Sequence, residues 1–416
     1  MLKYLHSLLI LCVFAVFINV ADATTHIRGL HIYGGKDETH LPIVLLPTPE
    51  MDGIGYAGTG DKYITVDFDA DSPLEPVLKV MFVHCSRYWQ EDQEFFDDNF
   101  MNLQTTNVQG KRADPRIRQY AYHYSLHFPD AKKQITFEYS GNYKVKILDG
   151  DDTVAVGKFY VADQLSAMQL AIYNEMNNAF SPPKNVHNVQ VSVTCAPEIL
   201  VTSLDGLDVI QSHRIEEPYR VDQNDTSGNS QITVSGTYIN FTAMNIVPGN
   251  TYRVIDITDP GIFAPSTFPT AFSPEDILRA GLSGVPDYNG SEILNKTPAT
   301  YADYIPIAFR LDADGERSDN IFIVGAFSDW LPKPRYMMKY AEKTNDYSCV
   351  VWLKRGIYDY QYVIGRLDEV TGQVTNQSWT ALEGNSWGAP RVYTALLYYH
   401  DDRFGGIDRI VGCMHN

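Results

Sequence analysis

The chain has 416 residues, five cysteines, and 51 acidic against 33 basic side chains, for a formal net charge of -18. That balance repels phosphate backbones and anionic membrane surfaces, which removes nucleic acid and acidic lipid from the expected partners. The 27 tyrosines, with Gly, Pro and Asn punctuating short apolar runs, predict an all-β chain of two or three domains.

The first element is a secretory signal. Lys3 supplies the positive region, Leu8 to Val20 is almost wholly apolar, and Ala21-Asp22-Ala23 offers the small-x-small pattern. A signal peptide over 1–23 is expected, with the exported mature chain starting at Thr24. Leu11 stands where a lipoprotein box wants a small residue, so acylation of Cys12 is not expected. No later segment reaches about eighteen apolar residues, so no transmembrane segment is expected.

A first β-sandwich, immunoglobulin-like or early-set in type, is expected over 24–163. Its strands read at Pro42–Pro47, Tyr63–Asp69, Val77–Tyr88, Arg118–Phe128 and Gly141–Val161. Tyr120, Tyr122, Tyr124, Leu126 and Phe128 alternate with small or polar residues, the signature of a half-buried strand. Asp149-Gly-Asp-Asp152 between two apolar runs signals a hairpin. Leu165 to Phe180 lacks Pro and Gly and reads as a helix or an irregular strand start. A second, smaller sandwich over 164–260 draws on Val189–Thr194, Ile199–Thr202, Ile232–Phe241 and Thr251–Ile257.

Residues 261–304 read as a linker, with a short helix starting at Ser273-Pro-Glu-Asp276. A third sandwich over 305–416 resembles the glycogen-binding type at Val324-Gly-Ala-Phe-Ser-Asp-Trp330 and in its tyrosine stripe. Tyr358, Tyr360 and Tyr362 share one face of a period-2 strand, with Asp359 and Gln361 on the other. The stripe is expected in the core. Trp330, Trp352, Trp379 and Trp387 all fall in this unit, where exposed indoles would stack on sugar rings; the plainer reading puts Trp352 in the core with the tyrosines.

Chemistry-bearing clusters are sparse. His123 and His127 have the spacing of a helical zinc pair but lie in a strand, where four residues span about 13 Å. His84 and Cys85 are adjacent and point to opposite faces. Asp67, Asp69 and Asp71, and the crowd of Asp312, Asp314, Glu316 and Asp319, offer oxygens for calcium, yet neither matches the EF-hand loop. No Gly-x-Ser-x-Gly, Walker or dinucleotide motif occurs. No catalytic, cofactor or metal site is predicted, and the chain is read as a non-enzyme. Cys85, Cys195, Cys349 and Cys413 allow three disulfide pairings, with buried free thiols the favoured reading.

Phe82-Val-His-Cys-Ser-Arg-Tyr-Trp89, the acidic and aromatic run to Phe100, Tyr120–Phe128 and Gly141-Asn-Tyr-Lys-Val-Lys146 resemble, in this order, the first domain of the plug protein of the type 9 secretion system. Pro248-Gly-Asn-Thr-Tyr-Arg253 is similar to that family's Gly-Asn-Glu-Phe-Arg stretch, with Thr251 and Tyr252 replacing Glu and Phe. Glu383-Gly-Asn385, Tyr398-Tyr399 and Asp408-Arg-Ile-Val-Gly412 look like its closing strands. The resemblance implies a periplasmic, non-enzymatic component of protein secretion, associated peripherally with the outer membrane. In that role it occludes the periplasmic mouth of the outer-membrane translocon β-barrel. It leaves the partner-binding surface unassigned. A carbohydrate-binding protein of the periplasm or cell surface is the alternative, and a hydrolase with dispersed catalytic residues a third reading.

Overall fold

Six β-sheets pair into three two-layered sandwiches in the computed structural model, which describes residues 25–47, 59–92, 103–131, 134–223, 225–236, 238–271 and 274–416. The expected signal peptide, Cys12, the run from 93 to 100 and Ser273 lie outside the described residues. The expected all-β class holds: every helical segment described is a single 3-10 turn.

In the first sandwich one sheet runs His26–Gly34, Ile64–Asp71, Tyr122–Phe128, Lys111–Arg112. The facing sheet runs Ile43–Leu45, Asp152–Ala162, Gly141–Asp149, Leu78–Cys85, Gln104–Val108. Alternation fixes the facing. Val66, Phe68 and Tyr124 on one sheet meet Val80, Phe82, Val145 and Phe159 on the other, all buried. Phe68 and Tyr124 stack at 4.7 Å.

The second sandwich pairs a sheet of Ser166–Asn177, Lys184–Cys195, Tyr238–Ile246 and Ser230–Ser235 with one of Tyr219–Val221, Leu204–Gln211, Tyr393–Asp401 and Ile407–His415. Three expectations change here. Residues 165–180 form an edge strand, Ser166–Asn177, because Met168, Leu170 and Ile172 turn every second side chain toward the core. Val201–Ser203, overlapping the end of the strand expected at Ile199–Thr202, is a 3-10 turn that feeds Leu204–Gln211. Ile232–Phe241 splits at Gly236, whose φ of 63° makes the turn between two strands.

The third sandwich centres on Ile357–Leu367. This strand pairs with Arg253–Asp256, Glu292–Ile293, Asn320–Gly325 and Val374–Ser378. The second sheet contains Tyr304–Asp312, Asp346–Lys354 and Lys339–Ala341, with Thr270–Ala271 and Asp276–Ile277 added in parallel on Tyr304–Asp312. The expected helix after Ser273 is thus replaced by the short strand Asp276–Ile277. Its Asp276 carboxylate is held by Arg253, Tyr360 and Tyr362.

Strand pairing also crosses the boundaries expected at 260 and 305. Arg253–Asp256 pairs with the third sandwich, and the last two strands return to the second. The return has a physical cause. In Tyr393–Asp401, Ala395, Leu397 and Tyr399 fill the second core, while Leu396 and Tyr398 face the first sandwich. A strand buried on both faces reads as a continuous apolar run, as Ala395 to Tyr399 does.

Tyr358, Tyr360 and Tyr362 are buried in the third core, as expected. Asp359 on the opposite face is also fully buried, because the loop from Asp287 to Ser291 and Trp330 cover that side. Trp352, placed in the core by the plainer reading, is half exposed on the outer face of its sheet. Cys85, Cys195, Cys349 and Cys413 are each buried and free.

Candidate functional site

The segments that carry the family resemblance lie far apart in the chain, yet they meet at the junctions between sandwiches. Strand Leu78–Cys85 ends in a tight turn, closed by Ser86 N–H to Gln90 O and by Trp89 at φ 64°. The turn drives Arg87 out of the first sandwich into the second. Arg87 is sealed from solvent: its Nε donates to Asp208 Oδ1 at 2.9 Å, and its Nη1 bonds Asp205 at 3.1 Å and Asp222. Its backbone N–H donates to Asp408 at 2.9 Å. Gly206, at φ 148°, makes room; a Cβ there would lie 2.5 Å from the Arg87 guanidinium. Burial alone disfavours a charged guanidinium, but Asp208 and then Asp222 more than offset it, so Arg87 stays ionised.

Around Arg87 the other resembling segments close in. The Asn142 amide donates to the carbonyls of Ser86 and Arg87 at 3.2 and 3.1 Å and accepts from Tyr398 OH at 2.7 Å. Arg409 bridges Asp401 and Asp163. Beneath them Ile43, Tyr160 and Ala162 pack on Ile210, Leu396, Tyr398, Ile410 and Cys413.

The second and third sandwiches are joined by Pro248–Arg253 and Glu383–Asn385. Gly249 N–H donates to Asn385 Oδ1 at 2.9 Å, and Asn250 donates to Glu383 O at 2.8 Å. Arg253 Nε lies 3.0 Å from both Glu383 carboxylate oxygens. Arg391 donates to Pro248 O at 2.7 Å and lies over the Tyr252 ring at 4.0 Å.

The first–third junction is polar. Glu38 is buried with its carboxylate accepting from the backbone N–H groups of Leu294 and Asn295 at 3.0–3.2 Å. Asp69 accepts from Lys354, from Tyr304 OH at 2.9 Å and pairs with His123 Nδ1 at 2.8 Å. His31 sits 3.9 Å from Glu38 and 3.8 Å from Glu292. Burial, reinforced by Glu38, pushes Glu292 up to about 8, and burial pulls His31 down to about 3. A cavity of about 550 Å³ opens beside this cluster, lined by Tyr33, Asp67, Arg112, Tyr120 and Lys354.

These partners account for most of the residues singled out as chemical candidates. His84 bonds Asp92 at 2.7 Å and Ser140 O at 3.1 Å; His123 belongs to Asp69; His127 packs on Tyr63. Asp67 accepts from Tyr33 OH at 3.0 Å and Asp71 pairs with Arg28 at 3.1 Å. Asp312 accepts from Asp314 N–H, and Asp319 pairs with Arg366. Among the described residues, no group of three or more His, Cys, Asp or Glu side chains is placed to hold a metal ion. Three of the four indoles of the sugar-binding expectation are engaged within the protein. Trp330 is buried and donates to Gly290 O at 2.7 Å, Trp379 lies under Arg214 at 3.6 Å, and Trp387 donates to Glu175 O at 3.0 Å. Sequence reasoning missed Glu38, Lys354 and Arg391 as joints. It quoted Arg87 and Arg253 only as parts of a resemblance.

Residues 27–163 match the family model described as type 9 secretion system plug protein 1st domain. No curated protein matches the chain by sequence. Among solved structures, a hypothetical protein from Parabacteroides merdae is similar over 94% of this chain and 97% of its own, with a TM-score of 0.71 at 17% identity, a likeness of fold. Escherichia coli alpha-2-macroglobulin activated by porcine elastase scores 0.17 at 9% identity, over 94% of this chain and 30% of its own. A bacterial ice-binding adhesin scores 0.14 at 9% identity, over 94% and 95%. Neither of these two carries an argument. Residues 27–163 thus match the type 9 secretion system plug protein 1st domain, and the rest of the chain is similar to a solved structure in fold alone.

Proposed function

We propose that this protein is a non-enzymatic, periplasmic plug that occludes the periplasmic opening of the type 9 outer-membrane translocon barrel. The family match over residues 27–163 carries the reading. The joints support it physically. Occlusion asks for a body that keeps its shape, and Arg87, Arg391 and Lys354 tie each sandwich to both of the others. Among the described residues no helix is long and apolar enough to cross a membrane, which suits a peripheral partner of a barrel.

Affinity purification of the tagged protein from detergent-solubilised outer membranes tests the reading. A large outer-membrane β-barrel should copurify, and deleting the gene should admit large antibiotics that the membrane normally excludes. Absence of the barrel, with unchanged permeability, would overturn it.

A further inference from the structure

The outward face of the sheet built from Ser166–Asn177, Lys184–Cys195, Tyr238–Ile246 and Ser230–Ser235 is free of charge over three consecutive rows. Strand register aligns Gln169, Ser192, Asn240 and Thr233 across all four strands. On one side lie Ala171, Gln190, Thr242 and Gln231, and on the other Ala167, Thr194, Tyr238 and Ser235. The alternate residues Val189, Val191, Val193, Ile239 and Phe241 point into the core, so these rows point out. In a chain of net charge -18 that is 20% Asp, Glu, Lys and Arg, a four-strand face without one of them is unusual, since solvated faces ordinarily mix charges of both signs.

The face is also pre-arranged. Ser192 Oγ donates to Asn240 Oδ1 at 2.7 Å, and Tyr238 OH donates to Ser192 Oγ at 3.0 Å. Tyr173, next along the edge strand, donates to Gln190 Oε1 at 3.4 Å. The two tyrosines are about half exposed, at 54% and 45%. Strands about 4.8 Å apart, with outward residues about 6.7 Å apart along each, set amides and hydroxyls on a regular grid about 14 Å wide.

We infer that this face binds a neutral polysaccharide. A polyanion or polycation would find no counter-charge on it. A typical protein interface needs an apolar core with aromatic or Arg anchors in pockets, and these rows supply none beyond the two tyrosines. A chain of neutral sugars matches what is present: many weak donors and acceptors, repeated, with one phenol ring on an inner strand, Tyr238, and one a row beyond on the edge strand, Tyr173, to stack on sugar faces. The site differs from the one expected on the third sandwich and rests on no part of the plug reading.

Affinity electrophoresis of the whole chain tests it, in native gels containing dextran, laminarin or xyloglucan, with alginate as the polyanionic control. At least one neutral glucan should retard migration, and alginate should not. The double variant Ser192→Asp/Asn240→Asp, which places two facing charges at the centre, should lose at least tenfold in affinity; it should melt somewhat lower than the parent, with its fold checked by circular dichroism. Tyr173→Ala/Tyr238→Ala gives a second route should the charged variant not fold, with the same loss expected. Trp352→Ala should bind as the parent does. No retardation by any neutral glucan, or equal retardation of parent and face variants, would overturn the proposal. So would a dimer in sedimentation that the charged variant dissolves, which would assign the face to a second copy of the chain.

Discussion

Against the second sandwich, the first lays Ile43, Tyr160 and Ala162 on Ile210, Leu396 and Tyr398, with the Arg87 guanidinium sealed among three carboxylates. Against the third it presents Glu38, Asp69 and His31 to backbone amides, Lys354, Tyr304 and Glu292, with only Ile117, Tyr120 and Tyr304 as a shared apolar cluster. The first junction is held by apolar burial and by a guanidinium that stays charged at any accessible pH. The second depends on which of its buried groups carry protons. Two joints in one molecule are thus built to answer pH differently, one fixed and one responsive.

The largest expected effect falls on the fixed joint. Arg87→Met strands the buried Asp208 carboxylate, and breaking a buried pair in this way costs about 3–5 kcal/mol. Urea denaturation of the parent and variant checks this; a loss below about 1 kcal/mol would mean that Asp208 relaxes to solvent and that the apolar layer alone holds the joint.

The responsive joint should show itself on raising pH. Glu292 has a folded pKa of about 8 against an ordinary 4.5, so its contribution is fully present below 4.5 and is lost as pH rises through 8. Asp359 acts in the same direction, pushed up to about 7 by burial against two backbone N–H donors. His31 runs the other way: its contribution is present above 6.5 and is lost as pH falls toward 3. Between about pH 6 and 8 the carboxylates dominate, Asp359 up to about 7 and Glu292 up to about 8, each with a limiting slope of about 1.4 kcal/mol per unit. Thermal melts across that range should decline, and Glu292→Gln should flatten the decline. A parent whose melting temperature is level from about pH 6 to 9 would remove the contrast between the joints.

Smaller effects sharpen the picture. Asp359→Ala unpairs the N–H groups of Tyr288 and Gly290, each held at 2.7 Å, and should cost about 1–3 kcal/mol at neutral pH or below. Tyr398→Phe removes one bond to Asn142 inside the fixed joint and should cost about 1 kcal/mol, independent of pH. Both are read from denaturant midpoints.

Much of the fold was legible in the sequence because it follows period-2 alternation. The strand Tyr122–Phe128, shorter at its start than expected, the Asp149–Asp152 hairpin and the Tyr358–Tyr362 stripe all rest on local patterns of burial. What alternation does not encode is which sheet a strand joins. Tyr393–Asp401 reads as a strand but returns to the second sandwich, a choice made by partners nearly 190 residues away. The burial of Asp359 was hidden for a related reason: a charged residue on the off-face of a strand ordinarily meets water, and only the distant loop around Gly290 covers it. Glu38 and Lys354 left no local trace, since their partners are backbone amides and an acid brought up from another sandwich. The resembling segments were informative without stating their role, which is to set one sandwich against the next.

Amide hydrogen exchange at single-residue resolution, compared between about pH 6 and 9 after correction for the intrinsic rate, tests the difference between the joints most directly. The reporters are the amides of Leu294 and Asn295, bonded to Glu38, and the amide of Arg87, bonded to Asp408. Protection at Leu294 and Asn295 should fall as pH rises while protection at Arg87 holds. Loss of protection at all three together, or at none, would contradict a molecule with one fixed and one responsive joint.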